Sequence, residues 1–164
     1  MKLKYLILFS LSGFVVAIDQ LTKNLAYLNL VPGEEVPLLG RSLTLALSHN
    51  TGFAFGLILR APDSIRDVFF VGIPVFALVL IVMIFIKLQD DEMLTSVALT
   101  TLLAGALGNL IDRVQYGHVL DFLRLRIAGV EFPPFNIADA SIIIGVVLMV
   151  YNTLRRAGSR SPAA

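Results

Sequence analysis

Four apolar stretches, each approaching twenty residues, constrain this chain more than any other feature of its sequence. The first runs from about Tyr5 to Ala17 and continues to Leu21, and the others are Val68 to Ile86, about Leu94 to Ile111, and Ile137 to Leu154. A helix of about 20 apolar residues crosses the hydrocarbon core of a bilayer, and there every backbone polar group must be bonded within the protein. The sequence therefore predicts a mainly α-helical membrane protein with four transmembrane helices.

The composition agrees with a membrane protein and excludes several functional classes. Hydrophobic residues make up 57% of the 164 residues and charged residues 15%, whereas soluble domains average about a quarter charged residues. The net charge of +1 gives no basic surface for nucleic acid. With no cysteine and only two histidines, we expect no disulfide, no cysteine nucleophile, no metal site and no cofactor.

The first apolar stretch has a second interpretation. The N-terminal Met-Lys-Leu-Lys sequence followed by an apolar run resembles a secretory signal peptide, with Val15-Val16-Ala17 as a loose cleavage site. The helical pattern continues past that site to Asp19 and Lys23, and three more spans follow. An uncleaved first helix is therefore the better interpretation.

An even number of spans puts both termini on one side of the membrane. Basic residues gather near the termini, at Lys2, Lys4, Arg155, Arg156 and Arg160, and cytoplasmic segments are enriched in lysine and arginine. The pattern is mixed, because the opposite side carries Arg41, Arg60, Arg66, Arg113, Arg124 and Arg126. Long loops are translocated despite positive charge, so cytoplasmic N and C termini remain the prediction.

The two long connections on the other side contain segments typical of strands. Leu43–Ser48 alternates between apolar and polar residues, and so does Phe122–Ile127, which an Ala-Gly turn can return into Val130–Phe132. Open sheet edges cannot lie within the hydrocarbon. We therefore predict a small extracytoplasmic β-sheet at the membrane interface, a single membrane domain over residues 1–156, and a disordered tail at 157–164.

Polar side chains near the outer ends of the spans are the functional candidates. An ionisable group at membrane depth costs about 2.5–3.5 kcal/mol on insertion scales. Asp19, Thr22 and Lys23 lie on one helical face, with the carboxylate four residues before the ammonium. A structural ion pair explains this pattern better than a direct chemical role.

Two further segments combine glycine with polar side chains. In the third span, Gly105, Asn109 and Arg113 recur at i+4 spacing. The glycine positions favour close helix packing, whereas Asn109 and Arg113 are placed to orient a polar group. Asn50-Thr-Gly52 predicts either an ordinary turn or a loop whose glycine lets a substrate approach the backbone.

The last feature is a pair of carboxylates, Asp121 at the start of a strand-like segment and Asp139 one turn into the fourth span. If the hairpin brings them together, they share one proton and can activate water against a peptide carbonyl. Asn136 fits an N-cap that places Asp139 at N3, near the positive end of the helix. We therefore predict Asp139 as the ionised base and Asp121 as the proton carrier. The structural alternatives are a simple helix cap for Asp139 and a surface strand residue for Asp121.

Five segments together resemble bacterial lipoprotein signal peptidase, also called signal peptidase II, over nearly the whole chain. They are Asp19-Gln-Leu-Thr-Lys23, Asn50-Thr-Gly-Phe-Ala-Phe-Gly56, Gly105-Ala-Leu-Gly-Asn-Leu-Ile-Asp-Arg113, Val119-Leu-Asp-Phe122 and Phe135-Asn-Ile-Ala-Asp139. Each is weak alone, but all five in order at the ends of four spans form a specific pattern. Leu120 stands where this family has valine, which is a conservative difference.

The resemblance implies an aspartyl endopeptidase of the bacterial inner membrane, with Asp121 and Asp139 as its catalytic dyad near the outer face. The implied substrate is a prolipoprotein signal peptide, cut before a diacylglyceryl-modified cysteine among membrane lipids, and the implied inhibitor is globomycin. The resemblance also implies supporting or substrate-binding roles for Asp19, Lys23, Asn50, Gly52, Gly108, Asn109, Arg113, Asn136 and Ala138.

Other functional classes fit the sequence less well. An ion carrier would need acidic groups spread across the membrane depth, and here they gather at one face. A metal-dependent lipid phosphotransferase would hold Mg²⁺ on carboxylates, but the aspartates here lie in separate segments. A serine protease lacks a suitable nucleophile, since Ser141 has no glycine flanks and Ser48 and His49 are adjacent. A purely structural anchor would not need this many polar groups at the ends of its spans.

Overall fold

The computed structural model describes residues 2–51 and 68–158. Within these ranges, the helices long and apolar enough to cross a membrane are α1 (Leu3–Asn29), α2 (Val68–Lys87), α3 (Met93–Tyr116) and α4 (Ile137–Gly158). In α2 a π-helical turn, Val68–Gly72, leads into the α-helix Ile73–Lys87. The four predicted spans are confirmed, and α1 runs unbroken through Val15-Val16-Ala17.

The end of α4 differs from the prediction. The helix continues through Gly158, so Ala157 and Gly158 are helical rather than part of a disordered tail. The composition of the tail, rich in Gly, Ser, Arg, Pro and Ala, placed the boundary at residue 156, whereas the helix continues for two more residues. Residues 159–164 lie outside the described ranges.

Helix α3 is the centre of the bundle. In its apolar window 56% of residues are buried, against 22% in α4 and 6% in each of α1 and α2. Small residues permit this packing. A Cβ added to Gly145 of α4 would lie 2.6 Å from Cγ of Leu102 on α3, and one added to Gly105 would collide with the backbone of Ala138. The remaining surfaces of α1, α2 and α4 present apolar side chains outward.

Four antiparallel strands form one sheet in the order β1-β2-β3-β4. They are β1 (Val36–Leu39), β2 (Leu43–Asn50), β3 (Val119–Ile127) and β4 (Val130–Glu131). The predicted sheet is confirmed, whereas β1 was not predicted. Its Val-Pro-Leu-Leu sequence lacks alternation, and an edge strand is where a sheet tolerates proline.

The pairing of β2 with β3 joins the two long connections, so both lie at one end of the bundle. At the opposite end, Lys2 pairs with Asp90 at 3.0 Å and Arg156 with Glu92 at 2.7 Å. These contacts gather the N terminus, the short α2–α3 connection and the C-terminal end of α4. The molecule therefore has one end made of sheet and one made of charged helix ends.

The sheet itself is amphipathic. Arg124 and Arg126 of β3 lie on one face and form ion pairs with Glu35 and Glu131. The intervening apolar residues of β3 point to the other face, because side chains alternate along a strand. A sheet with one charged and one apolar face suits the boundary between water and hydrocarbon.

Candidate active site

Asp121 lies on β3 where the strand leaves the helical bundle, and its side chain is buried with 1% exposure. Both of its carboxylate oxygens accept hydrogen bonds from amide side chains. Asn50, the last residue of β2, donates to Oδ2 at 2.9 Å, and Asn136 donates to Oδ1 at 2.8 Å. Two strands and the start of α4 therefore position this carboxyl group.

Asp139 lies in the first turn of α4 and forms a reciprocal cap with Asn136. The Oδ1 atom of Asn136 accepts the Asp139 N–H at 2.8 Å, and Oδ2 of Asp139 accepts the Asn136 N–H at 3.2 Å. This is the capping-box arrangement, in which two free N–H groups of a helix start are satisfied together. The predicted N-cap is confirmed. The other carboxylate oxygen of Asp139, Oδ1, accepts a side-chain N–H of Asn109 at 2.7 Å.

Asn136 connects the two carboxyl groups. Its side chain is fully buried, its amide nitrogen bonds Asp121, and its backbone and amide oxygen bond Asp139. The structure thus brings together the two aspartates that the sequence separates by eighteen positions. Neither is an isolated cap or a surface strand residue.

The protonation of Asp121 reflects this enclosure. The pKa of Asp121 is raised from its ordinary value to about 7, first by burial and also by the negative charge of Asp139, while the hydrogen bond from Asn50 opposes the increase. The hydrogen bond from Asn136 and the positive charge of Lys23 also act to lower it. Near neutral pH this carboxyl group is therefore able both to hold and to release a proton, as a general acid must.

Behind the two aspartates lies a buried charged cluster that joins α1 to α3. Lys23 is 4% exposed, and its ammonium contacts Oδ2 of Asp19 at 2.8 Å, Oδ2 of Asp112 at 2.8 Å and Oδ1 of Asn109 at 3.1 Å. The three N–H groups of the ammonium meet three acceptors, as a buried charge requires. The predicted Asp19–Lys23 ion pair is confirmed, and the structure extends it to α3.

This cluster fixes the orientation of the amide that faces Asp139. The Oδ1 atom of Asn109 accepts from Lys23 and from Asn136 at 3.1 Å each. Since the amide oxygen is held by two donors, the nitrogen of Asn109 must face Asp139. Asp19 acts on the same helix start, because its Oδ1 accepts the Ala138 N–H at 2.8 Å. Negative groups at a helix N terminus also oppose the helix dipole favourably.

The remaining predicted residues have packing or supporting positions. A Cβ added to Gly108 would lie 2.6 Å from Oδ2 of Asp19 and 3.2 Å from Cβ of Ala138, so glycine lets α1, α3 and α4 meet at this level. Arg113 donates to the Asn109 carbonyl at 3.2 Å and lies close enough to Asp139 to interact electrostatically. Gly52 lies outside the described residues.

Sequence reasoning missed two members of the cluster, Asp112 and Gln20. Asp112 is 2% exposed and accepts the Leu120 N–H at 3.1 Å as well as Lys23. Gln20 donates to Oδ1 of Asp112 at 2.9 Å. A signal for Asp112 was present, since it follows Asn109 by three positions and shares its helical face. Thr22, by contrast, bonds the carbonyls of its own helix.

A groove on the sheet side has the buried Asp121 in its lining. It has a volume of about 340 Å³ and lies between the end of β2 and the segment before α4. Its lining comprises Ser48, His49, Asn50, Thr51, Asp121, Pro133 and Pro134. A peptide lying in this groove would pass one of the two carboxyl groups.

Comparisons with known proteins agree on one family. The family model described as signal peptidase (SPase) II matches residues 11–155. The chain is 39% identical to the lipoprotein signal peptidase of Moorella thermoacetica, covering 92% of this chain and 94% of that protein. It is 35% identical to that of Syntrophus aciditrophicus, covering 96% and 99%.

Solved structures show the same likeness. A bacterial membrane enzyme determined by the in meso method at 2.3 Å superposes with a TM-score of 0.81 at 34% identity, covering 98% of this chain and 93% of that one. A second, at 1.9 Å, gives a TM-score of 0.81 at 36% identity, covering 92% of each chain. The chain belongs to the signal peptidase II family and is a multi-pass inner-membrane peptidase that removes signal peptides from prolipoproteins.

Proposed function

We propose that this peptidase is an aspartyl enzyme in which Asp121 and Asp139 activate water and cut before a diacylglyceryl-modified cysteine. The observation that carries the proposal is the bridge through Asn136, whose polar atoms bond both carboxyl groups. Two carboxyl groups that share a bridging residue and interact electrostatically favour a state with one shared proton. Such a pair supplies a base and an acid in one site.

In the proposed reaction, the ionised Asp139 takes a proton from a water molecule while the water oxygen attacks the scissile carbonyl carbon. Asp121, protonated, gives its proton to the carbonyl oxygen, which becomes a hydroxyl of the tetrahedral intermediate. The C–N bond then breaks, and the proton held by Asp139 passes to the leaving amine. The hydroxyl proton returns to Asp121, leaving a free acid and a free amine. The raised pKa of Asp121 supports its role as proton carrier.

The surrounding amides suit this chemistry because they do not titrate. Asn50, Asn109 and Asn136 each donate to a carboxylate oxygen at 2.7–2.9 Å. They can hold both groups in place while protons move between water, substrate and the dyad. We assign Gly52 the role of allowing the substrate backbone to approach, as the family resemblance implies.

The lipid on the substrate fits the position of the site. The groove beside Asp121 lies at the end of the bundle where the sheet begins, and the faces of α2 and α4 below it are apolar. Acyl chains can therefore stay in hydrocarbon while the peptide bond reaches the polar level. We propose that a globomycin-type cyclic peptide competes for the same groove.

We also propose that the sheet lies on the outer side and that both termini are cytoplasmic. The charged end of the bundle collects Lys2, Lys4, Lys87, Arg155 and Arg156, as cytoplasmic ends do. At the sheet end, Arg124 and Arg126 are neutralised by glutamates. Because the chain has no cysteine, single introduced cysteines can test this arrangement. A membrane-impermeant maleimide added to spheroplasts is expected to label Arg41→Cys and not Asp91→Cys, and the reverse labelling would contradict the orientation.

The decisive experiment on the reaction uses purified protein and a peptide with a diacylglyceryl-cysteine. Asp121→Asn and Asp139→Asn are each expected to lower the cleavage rate by about 10²–10⁴-fold, the usual contribution of general acid–base groups. Asp91→Asn, an exposed carboxylate at the opposite end, is the matched control and is expected to cleave at the wild-type rate. The dyad is refuted if either Asp121→Asn or Asp139→Asn retains that rate.

Glutamate substitutions test the division of roles within the pair. Asp121→Glu is expected to displace the alkaline limb of the pH–rate profile, because that limb reports loss of the carried proton. Asp139→Glu is expected to displace the acid limb, which reports protonation of the base. Displacement of the same limb in both variants would contradict the assignment, since coupled groups then titrate as a unit.

A further inference from the structure

At the end of the β2–β3 ladder that holds Asp121, one side-chain pair joins β2 to β3, and a second joins β2 to the residue immediately before β3. The register places His49 opposite Leu120 and Asn50 opposite Val119. Because side chains alternate along a strand, Asn50 shares a face with Asp121, and there it donates its 2.9 Å hydrogen bond. The opposite face carries His49 together with His118, which precedes Leu120 by two residues.

The two histidine rings stack on that second face. Their centroids are 4.5 Å apart and their planes are inclined by 30°. His118 immediately precedes β3, and a stacked ring pair contributes more than the area it buries, so the contact stabilises the approach of the end of β2 to the start of β3. The stack therefore lies on the sheet face opposite the Asn50–Asp121 hydrogen bond, at the end of the β2–β3 ladder.

We propose that His49 and His118 are a positioning pair, which holds the end of β2 beside the start of β3 so that Asn50 reaches Asp121. The inference rests on the proposed function, because it assigns the pair a role in presenting Asn50 to the dyad.

The test is kcat and KM for cleavage of the lipidated peptide by the whole protein at pH 8. His118→Phe keeps an aromatic ring in the stack, so its kcat is expected to stay close to that of the wild type.

His118→Ala removes the ring altogether. Above pH 7 its kcat is expected to be lower than that of His118→Phe by up to about fivefold, the weight of one cross-strand pair. Tyr151→Ala, which removes an exposed ring at the far end of α4, is the control and is expected to keep the wild-type kcat. Thermal unfolding of each variant shows whether a lower kcat reflects loss of folded protein.

The outcomes separate this inference from the proposed function. Cleavage that depends on Asp121 and Asp139 but has equal kcat in His118→Phe and His118→Ala at pH 8 overturns the positioning pair alone. Cleavage that does not depend on the two aspartates overturns the proposed function itself.

Discussion

Replacing Asn50 by alanine is expected to move the alkaline limb of the activity profile upward by a predictable amount. The Asn50 amide donates to Oδ2 of Asp121 at 2.9 Å, and this hydrogen bond lowers the pKa of Asp121 by favouring the charged carboxylate. Without it, Asp121 holds its proton to a higher pH. Because the proposed reaction needs that proton, activity extends to higher pH as well.

The size of the change follows from the strength of the bond. A hydrogen bond to a charged group contributes about 1.5–3 kcal/mol net, and the exposure of Asn50 favours the lower end. With about 1.36 kcal/mol per pH unit, 1.5 kcal/mol corresponds to a displacement of about one pH unit. The alkaline midpoint of kcat, expected near the Asp121 pKa of about 7 in the wild type, therefore moves to about 8 in Asn50→Ala.

The assay is kcat against pH on the lipidated peptide, fitted for the alkaline midpoint rather than for the maximal rate. This choice matters because Asn50 also lines the groove, so its loss lowers the rate for other reasons. Ser48→Ala is the matched control: Ser48 lies opposite Asp121 in the ladder, and within the described residues no hydrogen bond joins the two side chains. A midpoint that stays in place in Asn50→Ala, or falls, would show that Asp121 does not carry the proton.

Three further predictions concern stability and cofactor independence. Lys23→Met leaves the buried carboxylate of Asp19 uncompensated and is expected to lower the free energy of unfolding by about 3–5 kcal/mol. Arg156→Ala, the control, breaks an exposed ion pair and is expected to lower it by about 0–1 kcal/mol. Equal losses for the two variants in chemical denaturation would contradict this prediction. Gly108→Ala places a Cβ 2.6 Å from the Asp19 carboxylate and is expected to lower the free energy of unfolding by about 1–3 kcal/mol. Gly13→Ala, where the added Cβ enters open space, is expected to leave the free energy of unfolding unchanged. Cleavage is expected to survive EDTA at full rate, and inhibition reversed by added Mg²⁺ would indicate metal-dependent chemistry instead.

The local parts of the site could be predicted from the sequence because their partners are neighbours along the chain. The Asn136–Asp139 cap depends on a spacing of three residues, and the Asp19–Lys23 pair on a spacing of four. Helix geometry converts such spacings into contacts without knowledge of the fold. The same holds for the four spans, whose lengths are set by the bilayer.

The long-range parts could not be predicted in this way. Asp19 caps α4 through the N–H of Ala138, 119 residues away, and Lys23 also pairs with Asp112, 89 residues away in α3. The spacing of residues along the sequence does not predict which helices pack against each other. Strand β1 was missed for a different reason, because its Pro37 and lack of alternation are compatible with an edge position that only the finished sheet defines.

The enclosure of α3 has a consequence for how the enzyme meets membranes of different thickness. Lipid contacts mainly α1, α2 and α4, and helices in contact with lipid respond to a mismatch in thickness by tilting. Toward the sheet end of α3, Asn109 and Asp112 are buried against the other helices. The height at which a peptide bond is presented to the site is therefore fixed by the protein's own packing, and the cut should fall at the same bond in thin and in thick bilayers.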